Sequence, residues 1–74
     1  MKKFYDELTE ILEVDEATRE QVLSECDGWD SLGVLSTQVM IEENYGVKIS
    51  NDEMNSLSTV GDIEDLINSK RSAH

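Results

Sequence analysis

Between Ser31 and Tyr45 the apolar side chains fall on two faces of one helical period, Leu32, Leu35 and Val39 on the first and Val34, Ile41 and Tyr45 on the second. A surface helix buries a single stripe, so a helix apolar on two sides has to be packed from both and sits at the centre of its fold. This constrains the rest of the chain to supply at least two packing partners. With 74 residues it can bury only about 60% of the surface its unfolded form exposes, which sets one domain over residues 1–74 with a thin core. Four glycines and no proline favour helices packed at short range. On this reading the central helix leaves a narrow exposed strip, Gly33, Ser36, Met40 and Glu43, as the surface a partner would meet, and Gly46 stops the helix in the left-handed conformation.

The partners are legible on either side. Phe4, Leu8, Ile11 and Leu12 recur at i, i+4, i+7 and i+8, giving helix I from about Lys3 to Glu13. Residues 14–29 lose that period and form a long connection, with one helical turn expected near Glu20 to Leu23. After Val47 and Ile49, the polar run from Asn51 to Leu57 allows a helix III of one or two turns. Thr59 with Asp62 three residues on offers an N-cap with an acid in the first turn, and Val60, Ile63, Leu66 and Ile67 give helix IV its buried stripe. Ser69 to His74 is polar and expected to fray. The predicted architecture is all-α: a small four-helix bundle of three longer helices and one short helix III, with a long loop between helices I and II.

Six basic residues against 17 acidic ones give a formal net charge of −11, and no Lys or Arg occurs from Glu20 to Val47. Such a surface repels nucleic acid and anionic membranes and attracts proteins with basic patches. The single cysteine, Cys26, forms no internal disulfide, and with His74 alone it makes no zinc site. The N-terminus turns acidic before any apolar run develops, and no stretch is apolar enough to span a bilayer. A soluble cytoplasmic monomer, with no metal, is expected.

Catalytic equipment is scarce. Gly28, Ser31 and Gly33 miss the G-x-S-x-G nucleophile elbow by one position, and the sole histidine is the last residue. The acidic pairs Asp15-Glu16 and Asp52-Glu53 lack calcium-loop spacing and read as solvated surface. What remains is Ser31, at the point where loop becomes helix. There the unpaired amides and the helix dipole would stabilise an attached phosphate. The plainer alternative is that Ser31 is an ordinary N-cap.

Asp30-Ser31-Leu32 within Gly28-Trp29-Asp30-Ser31-Leu32-Gly33, then Glu42 to Ile49, then Thr59 to Ile67, resembles the acyl carrier protein family from residue 4 to residue 67. The resemblance implies a 4'-phosphopantetheine arm, received from coenzyme A on Ser31, that carries acyl or aminoacyl groups as thioesters. The polypeptide itself would not be an enzyme. It implies that Asp30 helps hold the transferase's metal or coenzyme A, beside the plainer reading that it only favours the positive helix end, and that Leu32, read here as the first core residue of helix II, also touches partner enzymes. Those partners would be a phosphopantetheinyl transferase and acyl- or aminoacyl-loading and transfer enzymes. A long acyl chain is expected against Leu35, Val39, Ile49, Met54, Leu57 and Ile63, between helices II, III and IV. Gly33 and Ser36 stand where fatty-acid-synthesis carriers usually bear acids, and Met40 where a small residue is usual, so the chain looks more like a discrete carrier of a dedicated pathway. Composition alone also admits an acidic helical interaction or inhibitor module without a prosthetic group, which would have no need of Asp30-Ser31-Leu32.

Overall fold

The computed structural model describes residues 2–72. Four α-helices follow in order, α1 (Lys2–Leu12), α2 (Ser31–Tyr45), α3 (Asn51–Asn55) and α4 (Val60–Ser72), with a 3-10 turn at Leu23–Glu25. The expected all-helical bundle with a short third helix is what forms.

In α1 the stripe Phe4, Leu8 and Leu12 is fully buried. The helix ends one residue earlier than expected because Glu13 adopts φ +59°, and Val14 N–H then donates to Thr9 O at 3.1 Å. A left-handed residue at this place is the ordinary way to close a helix, though for glutamate it costs about 1 kcal/mol. At the far end, α4 takes in residues 69–72. Ala73 and His74 lie outside the described residues.

The bounds of α2 agree with the sequence reading, but its rotation does not. Gly33, Thr37, Met40 and Ile41 face the core, at i, i+4, i+7 and i+8. Leu32, Leu35 and Val39, read as core, are 71%, 55% and 45% exposed, while Gly33 and Met40, read as the exposed strip, are buried. Of that strip Glu43 is exposed and Ser36 half-buried. Backbone packing decides the rotation. A Cβ on Gly33 would fall 1.9 Å from Gly28 O, and one on Gly28 would fall 2.1 Å from Ile11 O, so α2, the loop and α1 meet at a distance only glycine permits. Gly28 N–H in turn donates to Leu12 O at 3.3 Å. Thr37 can be buried beside them because its hydroxyl donates to Gly33 O at 2.8 Å. With Gly33 and Thr37 turned inward, Leu32, Leu35 and Val39 must turn out. The second expected face is half right: Ile41 is fully buried, and Val34 and Tyr45 pack partly against the core.

The connection between α1 and α2 is tied down. Leu23 N–H donates to Ser58 O (2.9 Å), Val60 N–H to Gln21 O (3.0 Å) and Gly61 N–H to Arg19 O (3.0 Å), which makes an antiparallel bridge between Val22 and Thr59. The Arg19 guanidinium holds Glu64 and forks across Asp65 at 3.1 and 3.2 Å. The turn expected near Glu20 to Leu23 appears slightly later, at Leu23–Glu25, because residues 21–23 are committed to this bridge. Leu23 and Cys26 then enter the core. Burial pushes the Cys26 thiol above its ordinary pKa, so it stays protonated and serves as packing.

Both later helices start with reciprocal caps. Asp62 N–H donates to Thr59 Oγ1 at 3.2 Å, the N-cap the sequence suggested, and Thr59 N–H donates back to Asp62 Oδ2 at 3.1 Å. The α3 box was not foreseen: Glu53 N–H donates to Ser50 Oγ at 3.1 Å and Ser50 N–H to Glu53 Oε1 at 3.0 Å.

Candidate phosphopantetheine site

The first turn of α2 is capped by Asp30, whose Oδ1 accepts from Gly33 N–H at 2.8 Å. Ser31 is therefore the first helical residue and not the cap. Its exposed side chain stands at the positive end of the helix dipole with the capping duty already discharged by its neighbour. Trp29 N–H donates to Cys26 O at 3.0 Å, which fixes the approach of the loop to Asp30.

Ser31 opens onto a groove of about 610 Å³ between α2 and α3. Beyond Asp30 and Ser31 its walls are Trp29, Val34, Leu35, Gln38, Asn51 and Asn55, three apolar side chains facing three amides. Gln38 Nε2 donates to both Ile49 O and Asn51 Oδ1 at 3.0 Å, joining α2 to the start of α3. On the other side of Asp30 lies a shallower groove of about 360 Å³ between α1 and α2, which includes Glu10, Glu13, Leu32 and Ser36. An exposed serine, a helix N-terminus and adjoining space on two sides fit a phosphodiester-linked arm.

No lysine or arginine lines either groove. Arg19 is engaged by Glu64 and Asp65, Lys48 approaches Glu42 at 3.9 Å, Lys70 pairs with Glu53 at 2.9 Å, and the Arg71 guanidinium lies 5.5 Å from the Tyr45 ring centroid. The two grooves beside Ser31 thus carry acids, Asp30, Glu10 and Glu13, with no basic side chain on their walls. Among the described residues, no group of three or more His, Cys, Asp or Glu side chains could hold a metal ion, and no helix is long and apolar enough to cross a membrane.

The other expected site residues are dispersed. Asp30 and Leu32 flank Ser31, with Leu32 projecting into solvent. Of the six residues expected to line an acyl cleft, Ile49, Met54 and Ile63 are buried in the core, Leu57 is half-buried, Leu35 is on the groove and Val39 is exposed. Sequence reasoning passed over Gln38, Asn51 and Asn55. Their spacing held the signal: Gln38 lies seven residues from Ser31 on the same helical face, and Asn51 and Asn55 are four apart on α3.

A family model described as the phosphopantetheine attachment site matches residues 2–67, and the chain belongs to that family. The group such proteins carry is 4'-phosphopantetheine, and their general role is to hold acyl groups on it. An acyl carrier protein of Acidothermus cellulolyticus is 47% identical over 38 residues, a stretch that takes in 51% of this chain and 45% of that relative. Among solved structures, the holo acyl carrier protein of Geobacter metallireducens superposes with a TM-score of 0.78 at 28% identity, covering 97% of this chain and 85% of the other. A Mycobacterium tuberculosis protein assigned as an acyl carrier protein gives a TM-score of 0.78 at 26% identity, covering 92% and 93% of the two chains.

Proposed function

We propose that Ser31 receives the 4'-phosphopantetheine arm and that the protein carries acyl or aminoacyl groups as thioesters on the arm's thiol, with no catalytic activity of its own. The observation that carries this reading is the division of labour at the head of α2: Asp30 makes the cap and Ser31, next to it, is free for derivatisation. The arm supplies the thiol, which the chain lacks in reactive form since Cys26 is buried and protonated. The chain's own residues present the hydroxyl, stabilise the phosphate charge through the first-turn amides, and keep basic groups away from the site.

Partner enzymes, a phosphopantetheinyl transferase first among them, would meet Leu32, Leu35 and Val39 on the open face of α2, with Ser36 and Glu43 beside them. Gly33 and Met40 are too buried to take part. An apolar strip bordered by acids suits an enzyme surface with an apolar patch edged by Lys or Arg. An acidic inhibitor module has no use for the Asp30-Ser31 arrangement.

Incubation with a broad-specificity transferase and coenzyme A, followed by intact-mass measurement, should show a single added phosphopantetheine that disappears in Ser31→Ala. Undiminished modification of Ser31→Ala would overturn the assignment.

A further inference from the structure

We infer that Gln38 bars the seam between α2 and α3, so that this carrier keeps its cargo in the surface groove beside Ser31 and is suited to short, polar acyl groups instead of long alkyl chains. The inference rests on Ser31 being the attachment point and specifies what the arm at that point carries.

Three observations support it. The first is the bar itself: one amide nitrogen donates at 3.0 Å to Ile49 O and at 3.0 Å to Asn51 Oδ1, fastening α2 to the entry of α3. Gln38 lies seven residues beyond Ser31, about 10 Å along the helix, so the groove is closed at its far end within two turns. The second is what lies behind. Ile49, Met54, Val60 and Ile63, the apolar side chains a long chain would need to part, are 6%, 1%, 0% and 0% exposed and already packed together. Inserting methylenes into a filled core displaces side chains that have settled there. The third is the lining. Asn51, Asn55 and Gln38 present amide groups to the groove. Gln38 Nε2 and Asn51 Oδ1 already bond each other, but an alkyl chain laid over the other amide atoms would strip water from them and return nothing, whereas a hydroxyl or amine on the cargo restores those bonds. Trp29, Val34 and Leu35 offer apolar cover for only a few carbons.

The test uses the holo protein loaded with either an octanoyl or a 3-hydroxybutyryl thioester, read by NMR at the Met54 and Ile63 methyl groups and the Gln38, Asn51 and Asn55 side-chain amides. We expect 3-hydroxybutyryl to shift the amide signals and octanoyl to leave both methyl groups where the holo form has them. In Gln38→Ala, octanoyl should shift the Met54 and Ile63 methyls. Gln38→Leu, which loses the hydrogen bonds but keeps the bulk, serves as the second variant, and the methyl spectrum of each unloaded variant reports whether it is folded. Shifts at Met54 and Ile63 on octanoylation of the unsubstituted protein would overturn the inference, as would their absence in folded variants of both kinds, or amide signals indifferent to 3-hydroxybutyryl. These failures leave the reading of Ser31 intact. That reading fails separately and visibly, by the absence of any mass gain with coenzyme A, and the inference then falls with it.

Discussion

The two ends of α2 are held by different physics. At its start, near Ser31, the contacts are between backbones: Gly33 against Gly28, Gly28 against the last turn of α1, and one side-chain cap from Asp30. Toward its finish the contacts are between side chains. Asn44 Nδ2 donates to Glu7 at 2.6 Å, Arg71 lies over Tyr45, and Lys48 approaches Glu42. Backbone contacts at van der Waals distance are indifferent to salt and pH and intolerant of an added atom, whereas side-chain pairs accept substitution and respond to the solvent. The end that presents Ser31 is the one whose position is least adjustable.

The sharpest way to break this contrast is to add one carbon at each end. Gly28→Ala and Gly33→Ala both place a Cβ about 2 Å from a backbone oxygen. Each should destabilise by about 1–3 kcal/mol, or more if the loop cannot shift, lowering the melting temperature by about 4–8 °C per kcal/mol in circular dichroism. Gly46→Ala at the other end meets nothing within 4 Å but must hold φ +67°, so its loss should stay near 1 kcal/mol. Equal losses at the three positions would show that the Ser31 end yields as readily as the far one.

A smaller effect separates capping from chemistry at Asp30. Asp30→Ala loses the bond to Gly33 N–H and should cost about 1 kcal/mol, while Asp30→Asn retains an accepting oxygen and should melt within a few tenths of the parent. If the carboxylate also serves the transferase, both variants are phosphopantetheinylated more slowly despite their different stabilities, as timed intact-mass measurement would reveal. Modification rates that follow stability alone would confine Asp30 to the cap.

The smallest expected change is with pH, and it concerns Glu53 of α3 and its pairing with Lys70 of α4. Hydrogen bonding from Ser50 N–H, and then the pairing with Lys70, hold its carboxyl below the usual 4.5. A carboxyl depressed in the folded state contributes stability that is complete above its unfolded pKa and is lost as pH falls through the lower folded value. The difference in melting temperature between the parent and Glu53→Gln should therefore be constant near neutrality and shrink once the pH drops below about 4.5. Added salt should narrow it as well, since the pair is partly exposed. The losses from Gly28→Ala and Gly33→Ala should show no such dependence.

How much of this was legible in the sequence follows the same division. The start and stop of α2 were readable because they are decided locally, by a capping residue and a left-handed glycine. The Thr59 cap and the buried stripe of α1 were readable for the same reason. The rotation of α2 was not. Counting apolar side chains favoured burying Leu32, Leu35 and Val39, and the count was outweighed by two glycines, Gly33 against the carbonyl of Gly28 and Gly28 against carbonyls of α1 that lie sixteen and seventeen residues earlier in the chain. A glycine in a helix reads as a weakness in one dimension and as a contact surface in three. At the site, the position of Ser31 was legible from its neighbours, but the groove was not, because Asn51 and Asn55 come to it from a different helix.

The assignment of the cap to Asp30 also bears on what happens over many rounds of use. Were the serine oxygen itself the cap, esterification would turn the acceptor that holds the first turn into part of a phosphate linkage, and each change of state would be felt along the helix. With the bond one residue upstream, the scaffold has the same start whether the serine is bare or esterified. On the proposed role of Ser31, the cap then gives a visiting enzyme no sign of the state. The enzyme has to sense the arm and its load directly, and the protein serves as a constant handle on a variable message.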